Sequence, residues 1–347
     1  MKRIGKPNAS YLQEKAFFLN QVSNRNLLEK AKKASAKYAQ QPERSGCVVC
    51  LRKIEQPIFK YLGVEYCICN DCGHLNGIYE DTPEFARFLY EQDNVDSVVS
   101  LFDDSQETFM ARVDSVYKPK AEFLSKALKE QGEDPSSMRY VDLGAGSGHF
   151  VLGMHESGLA NAVGYDASST MVDRTNALFE KEVLKHNKIE DIAELARTVE
   201  AEVVTMIFSL EHILGLRNFM SSLSQNKSVR YFFFAVPLYT PSVLIDVAFP
   251  DLSPRTIGLG HTHLFSEKSI EKMCADVGMS KIAEWWFGGN AFDLIRNIAL
   301  NLQSGQNSAE AADAWLCQMA DIIDDVQLVF DNKQMSSEIH LLVKTGS

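Results

Sequence analysis

Two pairs of cysteines, a glycine-rich turn and two short histidine motifs are the residues whose types and spacing could do chemistry in this chain. Cys47 and Cys50 form one C-x2-C pair and Cys69 and Cys72 a second, with eighteen residues between them. That is the spacing of a two-knuckle zinc site, in which each tight turn brings two thiolates to one tetrahedral ion at about 2.3 Å. Four thiolates leave no position for water, so zinc on Cys47, Cys50, Cys69 and Cys72 is expected to be structural. Cys67 and His74 stand close enough in sequence to compete as ligands, while Cys274 and Cys317 read as buried bystanders.

The segment VDLGAGSG, Val141 to Gly148, places three glycines directly after an apolar run and before a helical stretch starting at His149. That context suits a nucleotide-binding turn, because Gly144 and Gly146 let the backbone turn sharply and let a ligand approach without a Cβ in the way. A dinucleotide site reads G-x-G-x-x-G, but here His149 stands where the last glycine belongs, which disfavours NAD. Asp142 would also repel a pyrophosphate, whereas S-adenosylmethionine has no phosphate and carries cationic groups. Asp166, in VGYDAS, lies twenty residues beyond Gly146, where an acid can accept both ribose hydroxyls. Asp142, Gly144, Ala145, Gly146, Gly148, Asp166 and Ala167 are therefore the candidate cofactor residues.

Glu211 and His212 lie in FSLEHI, and His261 and His263 precede a helix that Ser266 can cap and Gly278 can end. Residues at strand C-termini of a doubly wound sheet face the ligand crevice. Methyl transfer needs an acceptor held in line and a proton taken by a group that titrates near neutrality. His261 and His263 suit that role, with His212 and Glu211 as further catalytic candidates. The plainer alternative is a set of hydrogen-bonded loop histidines and an ordinary Glu-His pair at a strand end.

These residues need elements to hold them. From Tyr140 the pattern alternates strand and helix, the mark of a parallel sheet. Strands are expected at Tyr140 to Leu143, Ala162 to Asp166, Val203 to Ser209, Tyr231 to Pro237, Lys281 to Phe287 and Glu338 to Lys344, with a faint one near Val183 to Lys185. The fold class is α/β, a Rossmann-like sheet of seven strands. Residues 1–45 read as an amphipathic helical segment, 46–80 as the zinc module, 81–135 as a helical linker or cap, and 136–347 as the cofactor-binding domain. Thr82-Pro83 should open a helix, and another should span about Ser105 to Gln131. A helical insertion near 290–332, split into Phe292 to Gln303 and Ala309 to Phe330, is expected to cover the site or form a homodimer interface.

The glycine turn and its acidic partner resemble the class I S-adenosylmethionine-dependent methyltransferases over roughly Tyr117 to Leu264 and again in the last two strands. The resemblance implies cofactor contacts by Gly144, Gly146 and Asp166, an adenine contact by Asp191 or Glu190, and a place for Ser209 at the end of the fourth strand. The cysteine module together with the Glu-His and His-x-His-Leu segments is similar to zinc-containing sugar C-methyltransferases, and to methyltransferases of polysaccharide and secondary-metabolite pathways. This similarity implies a small-molecule substrate, a sugar or nucleotide sugar, with His263 matching the family's catalytic base. Gly260 and Thr262 stand where that family has tyrosine and glutamate, which favours O- or N-methylation over C-methylation; Tyr239 is the residue that could partly substitute. An RNA methyltransferase with a zinc lobe and a non-catalytic adaptor that holds a partner protein are the competing readings.

The totals agree with a soluble enzyme of two folded parts. The chain has 347 residues, 45% hydrophobic and 23% charged, long enough for one α/β core and a smaller unit. Its formal charge of −11 argues against a broad nucleic-acid surface. Residues 1–46 hold ten lysines and arginines against three glutamates, so +7 sits there and −18 on the rest. The longest apolar run, Arg230 to Leu238, is far short of the ~20 residues of a membrane span. With no secretory leader, the expected location is cytoplasmic.

Overall fold

Where strands and helices alternate, a strand buried on both faces must be apolar throughout, and Tyr231–Pro237 meets that demand with all seven residues buried. The computed structural model describes residues 2–4, 8–9, 16–90, 105–258, 260–304 and 309–346. In chain order its strands are β1 (Lys2–Ile4), β2 (Phe59–Tyr61), β3 (Val64–Ile68), β4 (Leu75–Gly77), β5 (Tyr140–Leu143), β6 (Ala162–Asp166), β7 (Leu184–His186), β8 (Val203–Ile207), β9 (Tyr231–Pro237), β10 (His263–Leu264), β11 (Ser280–Phe287) and β12 (Glu338–Lys344).

The larger sheet runs β1-β11-β12-β9-β8-β5-β6-β7. Its seven expected strands are present, and β1 adds an eighth at the edge, parallel to β11. Three residues carry no periodicity, so that strand had no signature in the sequence. β12 is antiparallel to both its neighbours, whereas β9, β8, β5, β6 and β7 are parallel. From β5 the chain winds outward through β6 to β7 and then returns to β8 on the other side. The order thus reverses between β5 and β8, and the crevice at a strand-order reversal is where such sheets bind ligands.

The fourth strand ends at Ile207 rather than Ser209, because Phe208 takes a left-handed φ of 56°. An α-helix spans Gln21–Tyr38, capped by the Asn20 side chain, after a 3-10 turn at Ala16–Leu19; the expected helical residues 11–15 lie outside the described residues. Thr82 caps the helix Pro83–Tyr90, its Oγ1 accepting from the Phe85 amide. The long helical stretch starts at Gln106 and continues to Glu130 through a π-turn at Val113–Tyr117. The insertion between β11 and β12 is three helices, Asn290–Ser304, Ala309–Ala320 and Ile323–Asn332, where the sequence suggested two. Among the described residues, no helix is long and apolar enough to cross a membrane.

The second sheet, β10-β4-β3-β2, ties the two halves of the chain together. Three of its strands come from the cysteine module, but the fourth, β10, carries His263 and comes from the loop beyond β9. Cys47, Val49, Cys69 and Cys72 share one continuous apolar core with Val141, Phe232, Ile270 and Met273. The module is therefore packed on the large sheet's helices and does not stand apart.

Candidate active site

Three loops meet at the C-terminal edge of the large sheet. After β5, Gly144, Gly146 and Gly148 all adopt left-handed φ, at 70°, 54° and 78°. A Cβ on Gly144 would come within 2.7 Å of Ser209 Oγ, so only glycine fits that packing. Ser209 Oγ donates to the Gly144 carbonyl at 2.8 Å, locking the β5 and β8 loops together across the reversal. Gly146 differs, since a Cβ there would meet nothing within 4 Å and its backbone borders open space.

After β6, the Asp166 carboxylate accepts the Gly146 amide at 2.7 Å and the Ser168 amide at 2.9 Å. Burial pushes its pKa up, against the pull of those backbone donors. Asp142 lies inside the sheet, 2% exposed, where its Oδ1 accepts the Thr205 hydroxyl at 2.6 Å. Burial carries its carboxyl up to about 7. Ala145 donates to the Tyr165 carbonyl and Ala167 is exposed. Asp191 ends a 3-10 turn at Ile189–Asp191, exposed, while its neighbour Glu190 pairs with Arg87 of the helix Pro83–Tyr90 at 3.4 Å.

Four thiols converge below this edge. Cys47 Sγ is 3.6 Å from Cys72 Sγ and Cys50 Sγ is 3.4 Å from Cys69 Sγ, and all four lie within 4.8 Å of one another. Tetrahedral bonds of ~2.3 Å put sulfurs roughly 3.8 Å apart, so the set could hold a metal ion with small adjustment. Cys67 sits on β3 opposite Asn76 and is not part of the cluster. Cys274 is buried as expected, but Cys317 is exposed, because the helix Ala309–Ala320 buries only Ala312.

His74 turns away from the thiols toward the histidine loop. Its Nε2 is 3.0 Å from His263 Nδ1 and its Nδ1 is 3.3 Å from Ser269 Oγ. Ser269 Oγ lies 2.9 Å from the Ser266 carbonyl and accepts the Ser266 amide; with its hydroxyl proton assigned to that carbonyl, it accepts from His74. His74 therefore carries its proton on Nδ1, its Nε2 accepts from His263 Nδ1–H, and the lone pair of His263 is left on Nε2. Burial lowers His74 to about 3 and His263 well below the ordinary histidine range, so both rings are neutral at pH 7.

His263 lines a narrow cleft together with the polar Asp81, Thr262, Glu211 and His212 and the apolar Phe85, Leu89, Ile213 and Leu214. Asp81 is fixed by the Thr262 hydroxyl at 2.7 Å and by Arg44 at 2.7 Å, and the Gly77 amide donates to the Thr262 carbonyl at 2.8 Å. Glu211 is 3% exposed, and burial pushes its carboxyl up to about 8. Burial likewise lowers His212, to about 3, and His261. Glu211, His212, His261 and His263 thus lie close together. Tyr239 is packed beside Val243 and Tyr61 and is not among the described residues that line the cleft.

Sequence reasoning gave His74 only as a rival metal ligand; its bond to His263 spans 189 positions and has no local signal. It also missed Lys120, whose ammonium lies 4.8 Å from the Phe208 ring and 5.0 Å from that of Tyr117, beside the strained turn into Ser209. The left-handed Phe208 is the kind of backbone outlier that gathers at functional sites.

Residues 115–284 match the family model of a methyltransferase domain. Among curated proteins no relative matches this chain. Among solved structures it is similar to the magnesium protoporphyrin IX methyltransferase of Synechocystis PCC 6803 with bound SAH, at 15% identity and a TM-score of 0.47, over 76% of this chain and 100% of that one. It is also similar to the plantazolicin methyltransferase BpumL in complex with SAH, at 12% identity and a TM-score of 0.44, over 76% and 94% of the two chains. A third likeness is the geranyl diphosphate C-methyltransferase of Streptomyces coelicolor A3(2), at 13% identity and a TM-score of 0.40, over 70% and 84%.

Proposed function

We propose that this chain, whose residues 115–284 match the model of a methyltransferase domain, is an S-adenosylmethionine-dependent methyltransferase that methylates a hydroxylated small molecule, a sugar or nucleotide-linked sugar, with His263 as general base. The residues at the β5–β8 reversal fit the cofactor. The open side of Gly146 admits a ligand against the backbone, and Asp166 stands where the two ribose hydroxyls would bind. S-adenosylmethionine, when bound there, supplies an electrophilic methyl group on a sulfonium. Asp142, hydrogen-bonded inside the sheet, braces β5 against β8 in this reading and makes no first contact with the cofactor.

The observation that carries the reading is the Ser269–His74–His263 chain beside the cleft. A base must offer a lone pair, and with the Ser269 proton on the Ser266 carbonyl that lone pair falls on Nε2 of His263. The cleft's mixed lining, polar at Asp81, Thr262 and Glu211 and apolar at Phe85, Leu89 and Ile213, suits a sugar ring, which has hydroxyl edges and C–H faces. Gly260 in place of a tyrosine and Thr262 in place of a glutamate leave few groups to enolise a ketone, so the acceptor atom is assigned as oxygen.

Zinc on Cys47, Cys50, Cys69 and Cys72 is structural in this account. It would secure the turn between β3 and β4, and β4 pairs with β10 and so holds Thr262 and His263 at the cleft. The test is methyl transfer from labelled S-adenosylmethionine to a panel of nucleotide sugars, with wild type and His263→Phe. Turnover on one acceptor that falls at least ~100-fold in the variant is expected from the usual weight of a general base. An unaffected variant would remove His263 from the chemistry.

A further inference from the structure

Three more groups that the base does not require lie at the cleft, Glu211 and His212 in its lining and His261 behind them. Both carboxylate oxygens of Glu211 are buried and accept no hydrogen bond among the described residues. His261 Nε2 lies 3.8 Å and His212 Nε2 4.0 Å from the same Glu211 oxygen. The two imidazoles stack with centroids 5.2 Å apart and planes 14° from parallel. One donor atom from each of Glu211, His212 and His261 lies within 4.8 Å of the other two.

The bond behind His261 points its donor inward. His261 Nδ1 is 3.0 Å from the Thr256 carbonyl, which can only accept, so Nδ1 carries the proton and the lone pair is on Nε2, the atom facing Glu211. His212 is hydrogen-bonded to the Gly260 backbone. A ring nitrogen bonded to a carbonyl is the usual way a protein orients an imidazole whose other nitrogen binds a metal. A buried carboxylate with no hydrogen bond is among the costliest groups to leave unpaired. A cation held between the three donors would satisfy all of them at once.

We infer that Glu211, His212 and His261 form a second metal site, separate from the thiol cluster, that takes a divalent first-row ion such as Mn²⁺, Fe²⁺ or Zn²⁺. Two imidazoles and one carboxylate suit such ions, whereas Ca²⁺ and Mg²⁺ prefer oxygen-only sets. Three protein ligands leave open positions, and Glu211 and His212 both line the cleft, so the open side faces the acceptor. The ligand class that would complete the site is a hydroxyl oxygen, whose pKa the cation lowers while fixing its position. This part rests on the proposed methyl transfer and gives its four clustered histidine and glutamate side chains separate tasks: three hold the ion, and His263 takes the proton.

The test is a titration of full-length, zinc-loaded protein with Mn²⁺, followed by the loss of the free-ion electron paramagnetic resonance signal, because thiolates already filled with zinc leave only the new site. Wild type is expected to bind one equivalent, and Glu211→Gln and His261→Ala to bind at least tenfold more weakly while keeping their zinc. Glu211→Gln keeps the volume and adds no buried charge, and retained zinc reports that the variant is folded. A wild type that leaves the signal at its free level, or variants that bind as tightly as wild type, would overturn the site. S-adenosylmethionine is titrated into the same samples. Cofactor binding without Mn²⁺ binding removes the metal site and leaves the methyl-transfer reading; Mn²⁺ binding without cofactor binding supports the metal site and removes that reading.

Discussion

Replacing His74 with phenylalanine should slow methyl transfer without weakening cofactor binding. The ring shape is kept, including its edge contact with Phe265 at 5.0 Å, but the acceptor for His263 Nδ1–H is lost. A buried donor without a partner costs about 1–3 kcal/mol. His263 escapes that cost by moving its proton to Nε2, which places the proton on the atom that must receive one. Catalysis then needs the disfavoured tautomer, so kcat should fall roughly 5- to 150-fold at 1.4 kcal/mol per decade. The assay is single-turnover transfer of labelled methyl, with zinc content checked because Cys72 is two residues away. The Kd for S-adenosylmethionine should not change. His74→Gln should recover most of the rate, since its amide oxygen can accept from His263 and its nitrogen can donate to Ser269. A His74→Phe enzyme that keeps zinc and works within twofold of wild type would refute the tautomer argument.

Other consequences follow from the same geometry. Gly144→Ala forces an L-residue to φ 70° and a Cβ to within 2.7 Å of Ser209 Oγ, so S-adenosylmethionine affinity measured by calorimetry should fall more than ~10-fold, and adding Ser209→Gly should restore part of it. Stripping the cysteine cluster with a strong chelator should release one zinc and abolish activity, with limited proteolysis now cutting near β4 and β10, because those strands are paired. Asp142 should make the ligand-free protein less stable as pH rises. Its pKa is raised by burial from 3.8 to about 7, so the folded state binds more protons, and stability is greatest below pH 4 and declines until pH passes about 7. Asp142→Asn should flatten that decline, gaining on the order of 4 kcal/mol relative to wild type between pH 4 and pH 8 in urea melts.

Much of the framework was legible in the sequence because periodicity reports it directly. β5, β6, β9 and β12 fall where apolar runs and flanking glycines put them. The C-x2-C spacing picked out the four thiols that cluster, since two tight turns leave little freedom in which atoms meet. β1 was not legible, because a three-residue edge strand is made by its partner β11 and has no pattern of its own. Nor was the role of His74. Beside Cys72 it reads as a metal ligand, and only the pairing of β4 with β10 turns it toward His263. The exposed Cys317 shows the same limit, for hydrophobic type alone does not say which helix face a neighbour will cover.

The central claim is that the β5–β8 reversal binds S-adenosylmethionine through Asp166 and the glycine turn, and its most direct test is calorimetric titration of the zinc-loaded protein with that cofactor, repeated on Asp166→Ala. The account predicts micromolar binding by wild type and a loss of at least ~100-fold in the variant, because two charge-assisted hydrogen bonds of about 1.5–3 kcal/mol each disappear. No binding by wild type, or equal binding by both proteins, would contradict it.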